Sequence, residues 1–513
     1  MSGATSRHDL WDEMKPRQRI ARVLLTLSTM EADGSPDAAT LAAAAEGVGA
    51  FHGPPMLGSG LDERPRRAQE FNQAIRRVAR ERFGVEPLIG GNLESGLSYS
   101  LGAGGTDVPY QAVLGVVEPE VSYAVGRQIA LDAAACGYDW VFGPVVDVRT
   151  TSKDPVIGVR AFGGDVEAIA DRATAYIRGI QSAGVLATAK HFPGHGDAKV
   201  DSHYGVPVVD RPWDELDAVH LRPFAEVVRA GVDTVMTAHI VLGGLGFDEV
   251  ATFEPKVATD ILRGELGFEG LLVSDSLRMR AVSDRFSKPD AVLRTLRAGC
   301  DVANIKCHPA DVPQLLDELE AMLTDGRLPE EDLYRAFHRT VAARPRPEGT
   351  GHVAGSTARF DDDRLPLPRV IDEGDTLPMR VPTGGIVGVL AVPGAAEPLD
   401  TPLADLSRAL GVELRLLPAA TEGAASSAAD VDAVMVICRH QAGPSDEEIE
   451  LVRQAEGSGR PAAVLLAGPM NSSRDRVGSL PQVSAPCIDV FGMVSRSTAE
   501  PAFRRLVVVD GVA

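Results

Sequence analysis

The chain has 513 residues, a formal net charge of −21 at pH 7 and 44% hydrophobic residues. This length is enough for two or three domains, and the composition is that of a globular protein rather than a disordered one. A negative charge of this size argues against nucleic acid and anionic membranes as the main partners, because both are negatively charged themselves.

Five cysteines are scattered along the chain and are never spaced as CxxC, which predicts neither a zinc framework nor a disulfide scaffold. The N-terminal sequence places acidic residues before its first apolar run, and that run, 23–27, is far shorter than the core of a signal peptide. No stretch of the sequence reaches the roughly 18 to 20 apolar residues that span a bilayer. We therefore expect a cytoplasmic protein without a membrane segment.

From about residue 20 to 310 the sequence alternates short apolar runs with helix-like segments. One of these segments is amphipathic, with Asp165 placed to cap it and Val166 and Ile169 at the start of its apolar face. Continuous apolar runs are typical of parallel strands buried between helices, and eight of them predict a (β/α)8 barrel of the TIM type. The eight runs are 23–27, 48–51, 87–91, 138–145, 184–190, 232–238, 270–274 and 301–305.

Residues 342–368 are rich in Pro, Gly, Arg and Asp and carry no apolar period, so we predict a linker there. The chain is then divided into a barrel over 1–341 and a C-terminal domain over 369–513. Apolar runs separated by Gly, Pro and Ser turns predict a smaller α/β sandwich for this second domain, with a mostly parallel sheet. Its runs are 385–392, 412–418, 432–438, 461–468, 485–492 and 505–511.

In a barrel of this type the functional side chains stand at the carboxyl ends of the strands. The fifth run ends in Lys190 and His191, and the loop that follows continues to Asp201 and His203. One loop therefore carries several polar side chains that could take part in catalysis or binding. Other runs end in candidate residues too, namely Asn92 and Glu94 after the third, His239 after the sixth and Asp275 after the seventh.

Several of these segments together resemble glycoside hydrolase family 3, in its bacterial β-N-acetylhexosaminidase branch. The resemblance covers roughly residues 85–305, with the motifs in the right order. They are DPVIGVRAFG at 154–163, KHFPGHG at 190–196, DSH at 201–203, MTAHI at 236–240 and ELGFEGLLVSDSLRM at 265–279. KHFPGHG followed by DSH is highly specific, whereas an aspartate after a strand is common. The C-terminal domain resembles the α/β sandwich that many members carry.

The resemblance implies a retaining glycosidase, which needs a carboxylate nucleophile on one face of the sugar and a proton donor near the leaving oxygen. The family's nucleophile falls on Asp275. The acid/base in this branch is a histidine, which falls on His203, with Asp201 as its partner. A histidine suits both proton transfers at neutral pH when a carboxylate holds its tautomer and stabilises its cation.

The family's sugar contacts fall on Lys190, His191 and Arg160, and His239 is a further candidate. One position departs from the family pattern, because Asn92 stands where members usually have an aspartate that grips two hydroxyls. Asparagine has one acceptor oxygen and no charge, so it offers a neutral contact in place of a charge-assisted one. This departure puts the identity of the substrate in question more than the class of reaction.

Structural interpretations of these residues stay open. The group formed by His191, His195, His203 and Asp201 has the residue types of a metal site, but the Pro-Gly inside the motif is unlike a helical metal motif, and we expect no metal. Arg160 could pair structurally with Asp147 or Asp154. His239 and Glu94 are equally consistent with packing and with substrate contact.

The sequence therefore predicts an exo-acting β-N-acetylglucosaminidase for a small glycoside or oligosaccharide, without metal or organic cofactor. One alternative is a phosphorylase, because a neutral histidine repels phosphate less than a glutamate does. A β-glucosidase or a tailoring glycosidase on an amino-sugar metabolite is a second, motivated by Asn92. A sugar binder without activity is a third, and the joint presence of Asp201, His203 and Asp275 argues against it. The oligomeric state is not indicated by the sequence.

Overall fold

The fold is seen in a computed structural model of the chain. The structure describes residues 7–54, 64–97, 106, 108, 110–115, 117–150, 157, 160–197, 205–343, 379–381, 386–391, 413–416, 431–438, 446–457, 460, 462–466, 487–489 and 507–509. By its internal contacts the chain divides into two compact units. The first comprises Met1–Thr106, Glu118–Thr150 and Gly164–Ala358, and the second comprises Asp107–Val117, Thr151–Gly163 and Arg359–Ala513.

The first unit is built on an eight-stranded parallel sheet that curls into a barrel. Its strands lie in the order β7-β6-β5-β4-β3-β2-β1-β8. A parallel bridge between Val273 and Val302 joins the two edges, and the Ser274 N–H donates to the Val302 carbonyl at 3.0 Å. The (β/α)8 architecture is therefore confirmed. The strands are β1 Leu24–Thr26, β2 Ala50–His52, β3 Leu88–Gly91, β4 Trp140–Val141, β5 Leu186–Phe192, β6 Thr234–Thr237, β7 Leu271–Val273 and β8 Ala303–Asn304.

Helices cover the outside of the barrel, as the alternation of runs predicts. The helices are α1 Arg7–Glu13, α2 Pro16–Arg22, α3 Ala38–Glu46, α4 Arg64–Phe83, α5 Gln111–Leu114, α6 Pro119–Ala135, α7 Val166–Ser182, α8 Trp213–Glu215, α9 Arg222–Arg229, α10 Arg280–Ser283, α11 Lys288–Arg297, α12 Val312–Thr324, α13 Glu330–Ala342 and α14 Asp446–Gly457. Two π-helices, Leu216–Leu221 and Val257–Glu265, and three 3₁₀ turns, Gly243–Leu245, Ala251–Phe253 and Pro309–Asp311, complete the described set. Helices α5 and α14 belong to the second unit.

Asp165 caps α7 as predicted, because its carboxylate accepts from the Ala168 N–H at 3.0 Å. This helix packs closely on α6, where Gly126 leaves room for the partner backbone. A Cβ atom at Gly126 would lie 2.3 Å from the Tyr176 carbonyl oxygen. Among the described helices none is long and apolar enough to cross a bilayer.

The barrel interior is filled with side chains rather than open. Trp140 lies within it, and its indole N–H is 2.7 Å from the Thr188 hydroxyl and 3.0 Å from that of Thr234. A packed interior leaves the carboxyl ends of the strands as the surface where a site can form. The cluster that fills it comprises Leu25, Ala50, Leu88, Trp140, Phe142, Leu186, Met236, Leu271, Val273 and Val302.

The second unit contains a five-stranded parallel sheet in the order β11-β10-β12-β13-β14, together with a separate parallel pair formed by β15 and β9. Central residues such as Val389 and Met435 lie in register and are fully buried. A parallel sheet with α14 beside it confirms the predicted α/β fold. The predicted linker stays a prediction, because 344–368 lie outside the described residues. The strands are β9 Met379–Val381, β10 Ile386–Ala391, β11 Glu413–Leu416, β12 Ala433–Cys438, β13 Ala462–Leu466, β14 Cys487–Asp489 and β15 Val507–Val509.

Candidate active site

Lys190 lies at the carboxyl end of β5 and is buried with Glu94 in an ion pair. Its ammonium donates to the Phe142 carbonyl at 2.5 Å and to the Glu94 carboxylate at 3.1 Å, and the Asn92 side-chain oxygen lies 3.5 Å away. The side chains of Lys190 and Glu94 are each only 1% exposed. An ammonium has three hydrogens, and two of them are held by these short bonds.

His191, the next residue, is held by the buried carboxylate of Asp147. Its ring Nδ1 lies 2.7 Å from Asp147, and its backbone N–H donates to the same oxygen at 3.1 Å. The other carboxylate oxygen accepts from the His195 backbone N–H at 2.7 Å. Burial opposes ionisation of Asp147, but the neighbouring His191 and His195 lower its pKa overall. An ionised Asp147 fixes the imidazole of His191 with Nε2 turned away from the carboxylate.

Asp275 lies two residues after the end of β7, at the same end of the barrel. Its carboxylate is partly exposed and accepts from the Ser276 backbone N–H at 2.6 Å. Burial alone would raise the pKa of Asp275. His191, His239, the Ser276 N–H and the Lys190 ammonium act against burial, and the net result is a pKa lowered to about 2. The carboxylate is therefore ionised at neutral pH, as a nucleophile must be.

His239 is fully buried after β6, and both of its ring nitrogens have protein partners. Nδ1 lies 2.8 Å from the Thr252 hydroxyl, and Nε2 lies 3.0 Å from the Ser276 carbonyl oxygen. Burial lowers the pKa of His239, so the ring is neutral and Nε2 carries the hydrogen that the carbonyl accepts. His239 thus holds the backbone beside the Asp275 carboxylate, and its predicted contact with a sugar stays a prediction.

His52, at the end of β2, was not among the predicted site residues. Its Nε2 lies 3.1 Å from the Asn304 side-chain oxygen at the end of β8. Burial, followed by the charge of Lys306, lowers the pKa of His52 to about 4, while Asn304 and Asp275 act in the opposite direction. His52 and Asn304 are polar residues at the carboxyl ends of strands. The sequence feature that pointed to Lys190 and Asp275 could therefore have identified them as well.

The structure does not test the other predicted site residues. Asp201 and His203 lie outside the described residues, so their roles stay predictions. Arg160 is grouped with the second unit, where its backbone N–H donates to the Ile157 carbonyl at 2.8 Å, and its sugar contact stays a prediction as well. Across the described ranges, no three His, Cys, Asp or Glu side chains are placed to hold a metal ion.

The buried histidines predict a stability that depends on pH. Burial lowers the pKa of His195, like that of His52, to about 4 from an ordinary 6.5, so between these values the unfolded chain binds more protons than the folded one. We expect the free energy of unfolding to be highest above pH 6.5 and to fall as the pH drops toward 4, by about 3 kcal/mol for each histidine.

Urea unfolding at pH 7.5 and pH 4.5 tests this expectation. Tryptophan fluorescence reports on the first unit alone, because the three tryptophans are Trp11, Trp140 and Trp213. His195→Gln should flatten the pH dependence, because it removes one titrating group. An unchanged pH dependence in this variant would contradict the buried neutral state of His195.

The chain matches known proteins over the barrel and over the whole fold. A family model described as "Glycosyl hydrolase family 3 N terminal domain" matches residues 48–343. A β-hexosaminidase from Stenotrophomonas maltophilia is 38% identical over 224 residues, which are 42% of this chain and 66% of the relative. The β-hexosaminidase LpqI from Mycobacterium tuberculosis is 40% identical over 216 residues, 41% of this chain and 55% of the relative. The aligned regions thus cover less than two thirds of these relatives.

Among solved structures, a family 3 β-N-acetylglucosaminidase from Paenibacillus sp. superposes with a TM-score of 0.80. It covers 97% of this chain and 98% of its own, at 24% sequence identity. At that identity the likeness concerns the fold, and it includes both the barrel and the C-terminal domain. The family assignment rests on the match over 48–343, more than half of the 513 residues. The chain belongs to glycosyl hydrolase family 3.

Proposed function

We propose that the protein is a retaining exo-β-N-acetylglucosaminidase. The observation that carries this proposal is the position of the Asp275 carboxylate just after β7, where it accepts from the Ser276 N–H at 2.6 Å. Its neighbours, including His191 and Lys190, lower its pKa to about 2 against the effect of burial. A retaining glycosidase needs such a group to attack the anomeric carbon and form a covalent glycosyl-enzyme intermediate. The two curated relatives named above are β-hexosaminidases, which supports an N-acetylhexosamine as the sugar.

In this proposal His203, with Asp201 as its partner, protonates the leaving oxygen and then deprotonates the incoming water. The first step forms the bond from Asp275 to the anomeric carbon and expels the aglycone as an alcohol. The second step breaks that bond and releases the free sugar with its original anomeric configuration. Because Asp147 accepts the Nδ1 hydrogen of His191, we propose that His191 Nε2 accepts a hydrogen bond from a sugar hydroxyl.

We also place Asn92 and Lys190 in the proposed sugar site. The Asn92 oxygen lies near the Lys190 ammonium, and Glu94 supplies the buried negative charge that balances the lysine. The Asn92 side chain is uncharged, so we expect its hydrogen bonds to the sugar hydroxyls to be weaker than those of a carboxylate. We propose that the substrate is a small glycoside or oligosaccharide with a terminal N-acetylglucosamine.

Trapping the intermediate tests the reaction class and the nucleophile together. A 5-fluoro analogue of an activated N-acetylglucosaminide slows both steps, so the sugar is expected to accumulate on the enzyme. Peptide mass spectrometry should place the added mass on Asp275. A label on another carboxylate, or a released sugar of inverted configuration, would reject the assignment. With an unmodified aryl N-acetylglucosaminide in phosphate buffer, we expect the product to be the free sugar. A sugar 1-phosphate as the product would identify a phosphorylase instead.

A further inference from the structure

The loop that carries Asp201 and His203 leaves β5 through a stem that is fixed to the barrel. Gly196 packs so closely on the segment after β4 that a Cβ atom would lie 1.7 Å from the Val148 carbonyl oxygen. Gly194, at φ +119°, packs on His220, and a Cβ atom there would lie 2.7 Å from the Cβ of that histidine. Only glycine combines this backbone conformation with so close an approach. The stem therefore packs closely against the barrel up to residue 196.

The chain returns from the loop through a second fixed stem, after residue 205. The Val209 N–H donates to the Val241 carbonyl at 2.8 Å, and the Val241 N–H donates to the Pro207 carbonyl at 2.9 Å. Gly244 lies against Arg211, where a Cβ atom would approach the carbonyl oxygen to 2.1 Å. This stem is thus paired with the segment that follows β6, and residues 198–204 connect the two stems.

The two stems are joined to each other by an ionic cluster of Asp197, Arg211 and His220. The Asp197 carboxylate accepts from the Arg211 guanidinium and from the Thr150 hydroxyl, and His220 Nε2 lies 3.5 Å from it. The side chains of Asp197 and His220 are only 10% and 2% exposed. Hydrogen bonds from His220 and Arg211 hold the pKa of Asp197 well below its ordinary value, so this carboxylate is ionised. An exposed ion pair contributes little, but a nearly buried carboxylate with several donors is strongly held.

We infer that Asp197, Arg211 and His220 are positioning residues for the acid/base pair Asp201 and His203. The inference rests on the proposed function, because it assigns to the cluster the placement of that pair relative to Asp275. Joining the ends of a short connection reduces the number of conformations open to it. Proton transfer depends steeply on placement, since a shift of about 1 Å costs on the order of 100-fold in rate.

The dependence of rate on the leaving group tests this inference. A poor leaving group needs protonation, whereas 2,4-dinitrophenolate departs without it. For Arg211→Ala and for Asp197→Asn, we expect kcat/KM on phenyl β-N-acetylglucosaminide to fall about 100-fold, and on the 2,4-dinitrophenyl glycoside by less than about threefold. Azide, which attacks the intermediate without a base, should restore kcat on the activated substrate. Arg66→Ala, which breaks the exposed Arg66–Glu70 pair on α4, is the control and should leave both rates unchanged.

Three comparisons separate this inference from the alternatives. His203→Ala should reproduce the same dependence on the leaving group, and Arg211→Lys should recover part of the activity. If His203→Ala shows this dependence and Arg211→Ala does not, the positioning role is rejected while the proposed function stands. If His203→Ala shows no dependence, the acid/base assignment fails and the positioning role fails with it. An equal loss on both substrates in Arg211→Ala would indicate a general loss of structure and would also reject the inference.

Discussion

Replacing Asp275 by alanine is expected to lower kcat on an aryl β-N-acetylglucosaminide by at least about 10⁴-fold, a loss of about 5.5 kcal/mol in transition-state stabilisation. The carboxylate lies two residues after β7, and its pKa of about 2 keeps it anionic at any ordinary assay pH. Alanine offers no atom that can bond to the anomeric carbon, so the covalent route is closed. The loss should appear in kcat measured from initial rates across a range of substrate concentrations.

Azide provides the positive test for the same residue. In Asp275→Ala an azide ion can occupy the vacated space and displace 2,4-dinitrophenolate in a single step. The product should be the α-glycosyl azide, of inverted configuration, and NMR would identify it. Asp284→Ala is the control, because Asp284 is an exposed carboxylate paired with Arg280 on the surface, and this variant should keep full activity. Hydrolysis at a near wild-type rate by Asp275→Ala would show that another group is the nucleophile.

The barrel could be predicted from the sequence because its strands are buried on both faces and therefore read as continuous apolar runs. All eight runs correspond to strands, although their lengths differ. The run 138–145 contains only the two-residue strand Trp140–Val141, whereas β5 extends beyond its run to Phe192. The strand Met379–Val381 was missed, because three residues carry no periodicity and this strand is defined by its pairing with Val507–Val509. Short strands depend on partners that are distant in the sequence.

The candidate site is harder to predict, for a similar reason. Polar residues after the strands pointed to Lys190, His191 and Asp275, and both His191 and Lys190 lower the pKa of Asp275 against the effect of burial. Their roles in a site stay predictions. The sequence offered Asp147 only as a possible partner of Arg160, whereas the structure shows that it holds His191. Nothing local distinguishes these carboxylates from one another. Their partners are set by how the ends of different strands converge, which depends on the closure of the whole barrel.

Replacing Lys190 by methionine is expected to destabilise the first unit by about 3 to 5 kcal/mol and to lower kcat/KM by at least about 100-fold. The ammonium is 1% exposed and lies 3.1 Å from the equally buried Glu94 carboxylate. Removing one member of a buried ion pair leaves the other charge without its compensation, and this cost exceeds the value of the lost bond. Urea unfolding followed by tryptophan fluorescence measures the first effect, and steady-state kinetics measures the second.

A second substitution separates stability from catalysis at this pair. Adding Glu94→Gln to Lys190→Met removes the uncompensated charge, so we expect most of the lost stability to return while the activity stays low. Lys288→Met breaks the exposed pair with Asp311 and should cost less than about 1 kcal/mol, which makes it the matched control. If the double variant regains activity along with stability, Lys190 acts through the fold alone. Continued inactivity in a stable double variant would instead require the ammonium itself, beside Asn92, in the proposed sugar site.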